Sequence, residues 1–302
     1  MPLRIGITLG DPAGVGPEVI RAALASEKLP PDVDCKVIGD VGNAVAGIPT
    51  ADSARVALTA MEEAVALANS GEIDAIVTGP IHKARMAEIG FAFPGQTEFF
   101  AARSGTTSYA MLLTGSAITV ALVTTHVPLR DVPELLKTSE IIRVGKLLES
   151  FLRRRGIAQP RIVVAGLNPH AGESGKIGRE EIEIIAPGVR ELQSAINGSR
   201  PRTNPQSALF EGPISPDTLF FHLANGKWDA ALCMYHDQGL IPLKLHAFHS
   251  GVNVTLGLPF PRTSPDHGTA FDIAGKGIAR SDSMMAAINL AVELAKTKNK
   301  MT

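Results

Sequence analysis

Short apolar runs alternate with longer amphipathic segments along this chain. Seven runs rich in Val, Ile, Leu and Ala predict strands, at Leu3–Leu9, Cys35–Ile38, Ala75–Thr78, Ile118–Thr124, Arg161–Ala165, Ala230–Met234 and Val252–Leu256. Apolar residues are nearly continuous in these runs, which is typical of strands buried on both faces of a parallel sheet.

Longer segments between these runs predict helices, at Pro17–Ala25, Ala54–Asn69, Val132–Arg155, Arg179–Ala195 and Ser283–Thr297. Strands that alternate with helices in this way predict an α/β fold. The stretch Asn197–Asp217 is rich in proline and polar residues and predicts a surface loop, with Asp217 as the cap of the next helix.

The chain has 302 residues, enough for one large domain or for two medium ones that share a cleft. Its formal net charge of −1 excludes a global field that would attract nucleic acid or an anionic membrane, so we predict neither as a partner.

Cys35 and Cys233 lie in apolar runs and outside any CxxC pair, which excludes a zinc finger and predicts buried thiols in a reducing compartment. The first residues do not form a secretory signal, and no apolar run reaches the roughly 18 residues of a membrane span. We therefore predict a cytoplasmic protein.

Three histidines share an unusual placement, because His126, His170 and His236 each follow an apolar run closely. Ligands of open parallel sheets bind outside the carboxyl ends of the strands, so these side chains could meet in one crevice. Neutral imidazole suits divalent metals, and three protein ligands leave coordination positions open for a substrate. A single histidine after a strand is more often an ordinary loop residue, and placement alone leaves both interpretations open.

Charged residues accompany these histidines. Asp237 directly follows His236, where it could orient the ring, accept a proton or cap a helix. Lys244 comes after the apolar turn that follows, and Arg262 comes after the strand that carries Asn253. Lysine and arginine at strand ends can hold phosphate or carboxylate, so both are candidate anion ligands.

The segment GDPAGVGPE follows the first predicted strand and precedes a helix. Gly14 and Gly16 have no third glycine at the dinucleotide-binding spacing, and no Gly-Lys-Ser/Thr follows, so neither a standard Rossmann site nor a P-loop is predicted. The segment is better interpreted as a strand-to-helix turn that lines a cleft, whose helix N-terminus could attract an anion.

Several longer motifs together resemble a known family, and they are GDPAGVGPE, TGPIHK, PGQTEFF, TTHVPLRDV, GLNPHAGE, MYHDQGLIPLK and RTSPDHGTAFDIAGKG. From about Ile5 to the C-terminal helix the chain is similar to the PdxA family of pyridoxal 5′-phosphate biosynthesis. The resemblance implies a two-lobed α/β/α fold similar to that of isocitrate and isopropylmalate dehydrogenases. Residues 1–123 and 245–302 would form the first lobe and residues 124–244 the second, which carries the dimer contact, with a cleft between them.

The resemblance also implies roles for individual residues. The family's metal ligands correspond to His126, His170 and His236, which would hold one zinc, magnesium or cobalt ion, with one histidine supplied by the partner subunit of a homodimer. Its substrate ligands correspond to Gln96, Thr97, Lys244, Asn253 and Arg262. Acidic residues of the same site correspond to Asp217 and Asp237, which with Lys244 are candidates for the proton acceptor. The segment around His267 and Gly268 is the candidate binding site of NAD or NADP.

One position departs from the family pattern. Gln96 stands where many members have histidine, and glutamine cannot carry a proton or a positive charge. A substrate contact at this position is therefore expected, whereas an acid–base role is not.

The activity that the resemblance implies is the NAD-dependent and metal-dependent oxidation of 4-phosphooxy-L-threonine. Its product, 2-amino-3-oxo-4-phosphooxybutanoate, decarboxylates to 3-amino-2-oxopropyl phosphate. One alternative is a family paralogue that acts on phospho-threonate, phospho-erythronate or an aromatic cis-dihydrodiol. A second is an isopropylmalate-type dehydrogenase, against which the histidines argue because that group binds metal with clustered aspartates. A third is a protein of the phosphate acyltransferase type without redox chemistry.

Overall fold

The computed structural model describes residues 2–197 and 209–298, and the chain divides into two compact units. The first unit consists of Met1–Thr107 and His249–Thr302, and the second of Ser108–Phe248. The boundaries predicted from the sequence fall after residues 123 and 244. The first differs from the structural boundary because the strand Thr119–Leu122 pairs with Ala110–Thr114 and Ala230–Cys233, inside the second unit. The second differs because the helix His236–Ala247 continues past residue 244.

The described residues form ten strands and ten α-helices. The strands are β1 (Leu3–Thr8), β2 (Val33–Ile38), β3 (Ala75–Thr78), β4 (Ala110–Thr114), β5 (Thr119–Leu122), β6 (Arg161–Ala165), β7 (Leu209–Ile214), β8 (Ala230–Cys233), β9 (Val252–Leu256) and β10 (Arg262–Pro265). The helices are α1 (Gly16–Leu24), α2 (Ala51–Ser70), α3 (Lys83–Glu88), α4 (Gln96–Arg103), α5 (Val132–Leu135), α6 (Thr138–Arg154), α7 (Ala186–Asn197), α8 (Pro216–Ala224), α9 (His236–Ala247) and α10 (Asp282–Lys298).

The strands of the first unit lie in the order β2-β1-β3-β10-β9. Four of them are parallel, and only β9 runs antiparallel to its neighbour β10. Helices α2 and α10 pack against β1 and β3, which explains why these strands are apolar almost throughout. Helix α2 begins with a capping box formed by Thr50 and Ser53 and ends at Gly71, which has the left-handed φ of 75°.

The strands of the second unit lie in the order β4-β5-β8-β6-β7, with β4 antiparallel to β5 and the remaining pairs parallel. Helices α6 and α9 contact β5 and β8, and α8 contacts β6. Val120, Leu122, Leu219, Trp228 and Leu243 belong to the buried apolar cluster of this unit. The predicted α/β class with a largely parallel arrangement is therefore confirmed.

The predicted single helix Val132–Arg155 is wrong, because α5 ends at Leu135 and α6 begins only at Thr138. Between them Leu136 has extended backbone, with a ψ of 120°, and its side chain is buried. The break in the helix thus allows the apolar side chain of Leu136 to lie in the core, whereas a continuous helix would direct it elsewhere.

The predicted loop Asn197–Asp217 is also wrong in part. Residues 198–208 lie outside the described residues, but Leu209–Ile214 form β7, which pairs in parallel with β6. This outermost strand is only half-buried, so its sequence lacks the apolar run of a central strand. Ser215, not Asp217, occupies the N-cap position of α8, and Asp217 lies in the first turn.

The apolar turn predicted before Lys244 is part of the helix α9, although Pro242 lies inside that helix. The N-cap position of α9 belongs to Tyr235, so Asp237 does not cap the helix and lies in its first turn. No helix of the described residues is long and apolar enough to cross a membrane.

Candidate active site

Two of the three histidines meet at the ends of the neighbouring strands β5 and β8. Just past these strands, the backbone N–H and the hydroxyl of Thr124 both donate to the carbonyl of Met234, at 3.1 and 2.7 Å. These bonds hold the two chain segments side by side. The imidazole centroids of His126 and His236, which follow directly, lie 5.6 Å apart.

The separation of these two rings fits a shared metal ion. Because a ligating imidazole nitrogen lies about 2 Å from zinc, the centroid of its ring lies about 3 Å from the ion. Two rings with centroids 5.6 Å apart can therefore reach one ion from two sides. The pair lines a cavity of about 440 Å³ to which Thr125, Tyr235 and Asp237 also contribute.

The ring of His236 is oriented by its neighbour. Nδ1 of His236 lies 2.7 Å from Oδ1 of Asp237, and because a carboxylate only accepts hydrogen bonds, Nδ1 must donate. The lone pair of the ring then lies on Nε2, the atom that a metal would use. A carboxylate behind a ligating histidine is a common arrangement that fixes the tautomer.

His170 does not join this pair within the chain. It lies after β6 on an exposed turn, where its Nδ1 is 3.8 Å from Oδ2 of Asp217. The Ser215 hydroxyl lowers the pKa of Asp217, and the nearby His170 ring lowers that pKa further, so Asp217 is ionised at neutral pH. Within residues 2–197 and 209–298, no three His, Cys, Asp or Glu side chains converge closely enough to hold a metal ion.

The turn that carries His170 has an uncommon backbone. His170, Ala171, Glu173 and Ser174 all have φ between 46° and 58°, and Gly172 between them has φ 79°. Left-handed backbone costs an L-residue roughly 1–2 kcal/mol, so the surroundings must stabilise this turn.

Two buried side chains support the segments that carry the histidines. Gln238 accepts a hydrogen bond from the backbone N–H of Met234 at 2.7 Å and donates to the carbonyl of Gly166 at 2.6 Å, so it joins the end of β8 to the end of β6. Glu181 accepts hydrogen bonds from the backbone N–H groups of Leu167 and Asn168, both at 2.7 Å.

In the first unit, Arg262 is a buried cation at the start of β10, with an exposed fraction of 3%. Its guanidinium donates to the hydroxyls of Thr78 and Thr255 and to Oε1 of Gln96. Burial lowers the pKa of Arg262 to about 10, and the charge of Glu98 opposes that shift, so the side chain still carries its charge at pH 7. A desolvated cation whose hydrogen bonds go to neutral groups favours an anionic ligand.

Two predicted substrate residues, Gln96 and Thr97, lie close to this arginine or to its partners, and a third, Asn253, lies on the neighbouring strand β9. Gln96 accepts from Arg262 at 3.1 Å and donates to the carbonyl of Gly79 at 3.0 Å, so its amide bridges two neighbours. The hydroxyl of Thr97 lies 3.4 Å from that of Thr255. Oδ1 of Asn253 is buried and has no hydrogen-bond partner among the described residues.

The remaining predicted residues are placed as follows. Lys244 lies in the last turn of α9, with Nζ 5.8 Å from the ring centroid of Phe248. Nδ1 of His267 lies 3.0 Å from the carbonyl of Gly268, and its Nε2 is buried without a partner among the described residues. The carbonyl of Thr269, next along the chain, accepts from the N–H of Val15 in the turn before α1.

Comparisons with known proteins identify the family of the chain. The family model described as pyridoxal phosphate biosynthetic protein PdxA matches residues 18–291. The chain belongs to the PdxA family. A curated PdxA-type relative from Desulfosudis oleivorans, named 4-hydroxythreonine-4-phosphate dehydrogenase, is 43% identical over 96% of both chains. The protein is therefore an enzyme, an oxidoreductase of this family.

Several solved structures are similar as well. A 4-hydroxythreonine-4-phosphate dehydrogenase from Klebsiella pneumoniae is 37% identical with a TM-score of 0.82, over 97% of this chain and 99% of that one. A terephthalate 1,2-cis-dihydrodiol dehydrogenase from Burkholderia xenovorans is 25% identical with a TM-score of 0.67, over 97% and 98%. A β-decarboxylating dehydrogenase from Thermococcus kodakarensis, 15% identical over 98% of this chain and 84% of that one, shares the fold alone, with a TM-score of 0.52. The predicted resemblance of the fold to that dehydrogenase class is thus confirmed.

The structure adds three residues that the sequence did not single out. Glu181 lies on a predicted helix, where a glutamate normally faces solvent, and no motif marks it as buried. Gln238 is adjacent to a recognised histidine, but its bridge between two strand ends depends on tertiary contacts. Thr78 ends a strand like many other threonines, and only the fold brings it to Arg262.

Proposed function

We propose that this protein oxidises 4-phosphooxy-L-threonine with NAD or NADP in a reaction that needs a divalent metal. The observation that carries the proposal is the pairing of His126 and His236 at the ends of adjacent parallel strands. The chain that carries these histidines is 43% identical to a protein named 4-hydroxythreonine-4-phosphate dehydrogenase. The phosphorylated hydroxy-amino acid in that name suits the two kinds of group present here. Its alcohol suits a metal held by imidazoles, and its phosphate or carboxylate suits a buried arginine.

The metal is proposed to be held by His126, His170 and His236. When bound, a zinc, cobalt or magnesium ion would act as a Lewis acid on the substrate alcohol and its neighbouring group. Imidazole nitrogens favour zinc or cobalt over magnesium, which prefers oxygen ligands. Asp237 supports this role because it leaves Nε2 of His236 available as a ligand atom.

The substrate is proposed to bind Arg262, Asn253, Thr97 and Lys244, with its anionic end groups at the two cations. Arg262 contributes most, because a planar guanidinium can donate two parallel hydrogen bonds to a phosphate or carboxylate. Its bonds to Thr78 and Gln96 hold that plane in one orientation before the ligand arrives. Oδ1 of the half-buried Asn253 is itself buried and has no hydrogen-bond partner among the described residues, so this acceptor suits the substrate's amino or hydroxyl group.

The nicotinamide cofactor is proposed to bind the segment around His267 and Gly268. Because a carbonyl only accepts, Nδ1 of His267 donates to Gly268, and its buried Nε2 is left as an acceptor. Such an acceptor suits a ribose hydroxyl or an adenine amino group. The turn before α1 is bonded to the same segment through Val15 and Thr269 and would stiffen it.

The reaction removes two electrons and two hydrogens from the secondary alcohol. When bound, the nicotinamide cofactor would supply the hydride acceptor, and the hydroxyl proton would pass to a base of the protein, for which Asp217, Asp237 and Lys244 are the candidates. The product 2-amino-3-oxo-4-phosphooxybutanoate is a β-keto acid, and its loss of CO2 gives 3-amino-2-oxopropyl phosphate.

The working enzyme is proposed to be a homodimer in which one of the three histidines comes from the partner subunit. Apolar side chains beside the histidine pair support an interface there, because Val127, Leu129 and Ile241 line the same cavity and are exposed by 36%, 66% and 62%. Exposed apolar side chains of this kind are typical of surfaces that bind another protein.

A second candidate function is the oxidation of an aromatic cis-dihydrodiol. The similarity to a terephthalate dihydrodiol dehydrogenase favours it. Gln96 leaves it open, because this residue bonds to Arg262 and Gly79 and cannot act as an acid or base. The buried Arg262 is compatible with 4-phosphooxy-L-threonine and with a carboxylated dihydrodiol such as that of terephthalate, since both carry an anionic group.

A substrate panel distinguishes the two functions. The purified enzyme is supplied with a divalent metal, with NAD or NADP, and with 4-phosphooxy-L-threonine, phospho-threonate, phospho-erythronate or a carboxylated cis-dihydrodiol. We expect the first to give the highest kcat/KM, measured by the absorbance of the reduced cofactor. If another substrate were turned over well while the first stayed inert, the proposed substrate would be wrong.

A further inference from the structure

The turn Asn168–Ser174 holds His170 in a backbone conformation that its own residues do not favour. Positive φ at His170, Ala171, Glu173 and Ser174 is disfavoured for side chains with a Cβ atom. A conformation of this kind persists only when surrounding contacts impose it. The question is therefore which contacts hold the turn.

Glu181 supplies those contacts from a neighbouring segment. Its Oε1 accepts from the backbone N–H groups of Leu167 and Asn168 at 2.7 Å, and its Oε2 accepts from the side-chain amide of Asn168 at 2.9 Å. All three bonds reach the residues directly before Pro169 and His170. The carboxyl group is almost fully buried, with an exposed fraction of 3% for the residue.

Two glycines leave the space that this carboxyl group fills. A Cβ atom on Gly172 would lie 2.6 Å from Oε2 of Glu181, and one on Gly166 would lie 3.2 Å from Oε1. Gly172 also has the left-handed φ of 79°, which glycine adopts without strain. The backbone thus wraps closely around Glu181, so the carboxyl group determines where the turn lies.

We propose that Glu181 is a positioning residue, which holds the turn Asn168–Ser174 so that the imidazole of His170 is presented as a metal ligand. The proposal rests on the proposed function, because it takes His170 as one of the metal ligands. Outer groups that orient a ligand typically change metal affinity about 10- to 100-fold when they are removed. Glu181 acts through the backbone and does not touch the metal itself.

The test replaces Glu181 with glutamine, which keeps the size of the side chain but only one accepting oxygen. Cobalt(II) alone is titrated into the wild type, Glu181→Gln and His170→Gln, and binding is followed by calorimetry and by the visible absorption of bound cobalt. We expect Glu181→Gln to raise the dissociation constant at least about 10-fold. The NMR signals of the His170 ring, assigned with His170→Gln, are expected to move in the metal-free protein.

The matched control is Glu183→Gln, which makes the same change two residues away at an exposed glutamate that pairs with Arg179. We expect its cobalt affinity and the His170 signals to equal those of the wild type. Measurements are made well below the melting temperature of each variant, so that loss of global stability alone does not alter them.

The outcomes distinguish a failure of the proposed metal site from a failure of the positioning role of Glu181. If the wild type binds no cobalt, the proposed metal site fails, while the metal-free NMR signals still decide whether Glu181 positions His170. If Glu181→Gln keeps both the wild-type cobalt affinity and the wild-type His170 signals, the positioning role is overturned.

Discussion

Replacing Arg262 by alanine is the substitution that most affects the proposed anion site. The change removes a cation that donates hydrogen bonds to Thr78, Gln96 and Thr255 and lies over the ring of Phe100, with 5.4 Å between Cζ and the ring centroid. Burial lowers the pKa of Arg262 only to about 10, so the wild-type enzyme carries this charge across the usual assay range.

The expected loss follows from the bonds that a bound phosphate or carboxylate would forfeit. A hydrogen bond to a charged group contributes about 1.5–3 kcal/mol, so the loss of one bidentate contact removes about 3 kcal/mol or more. Since about 1.4 kcal/mol corresponds to a tenfold change in rate, kcat/KM should fall roughly 10²-fold or more. Lysine in place of Arg262 keeps the charge but not the planar donor pair and should give an intermediate loss.

Steady-state oxidation of 4-phosphooxy-L-threonine measures this effect through the reduced cofactor. Arg55→Ala serves as the matched control, because Arg55 is exposed and, within the described part of the chain, pairs with Asp52 alone, one helical turn away. Thermal melts verify that each variant is folded at the assay temperature. Wild-type efficiency in a folded Arg262→Ala variant would refute the assignment of Arg262 as the anion ligand.

Three further predictions concern the supporting structure. Gly172→Ala places a methyl group against a buried carboxyl group and should weaken cobalt binding, as measured by calorimetry; unchanged affinity would contradict the close packing. Gln238→Leu leaves the N–H of Met234 and the carbonyl of Gly166 without their partner and should destabilise the fold by about 2–4 kcal/mol in urea unfolding; a loss within error would contradict the bridge. Burial raises the pKa of the Cys233 thiol, so this cysteine should resist alkylation at pH 8 until the protein unfolds, whereas rapid labelling of the native protein would show that it is accessible.

The central strands were predictable because burial on both faces leaves a continuous apolar run. Ala75–Thr78, Arg161–Ala165 and Val252–Leu256 were predicted with the bounds that the structure shows. The strand Leu209–Ile214 was missed because an outer strand needs few apolar residues, and α9 was missed because Gly239 and Pro242 disfavour a helix locally. Tertiary packing overrides both local preferences.

The candidate site was predictable where neighbouring parallel strands end together. That rule led to His126 and His236, which the structure brings within 5.6 Å between ring centroids. It did not distinguish them from His170, whose position depends on a left-handed turn that the sequence alone did not predict. Glu181, which bonds to the start of that turn, could not be found either, because its burial depends on how the chain folds back over the 13 or 14 residues that separate it from Asn168 and Leu167.

The most direct test of the account follows the oxidation of 4-phosphooxy-L-threonine by the purified enzyme with NAD before chelation, after chelation and after a divalent metal is added back. The account predicts steady reduction of the cofactor, its loss when the metal is removed, and its recovery with zinc or cobalt in the wild type but not in His126→Ala. Full turnover by the metal-free enzyme, or full activity of the His126→Ala variant, would contradict the central claim that paired histidines hold a catalytic metal.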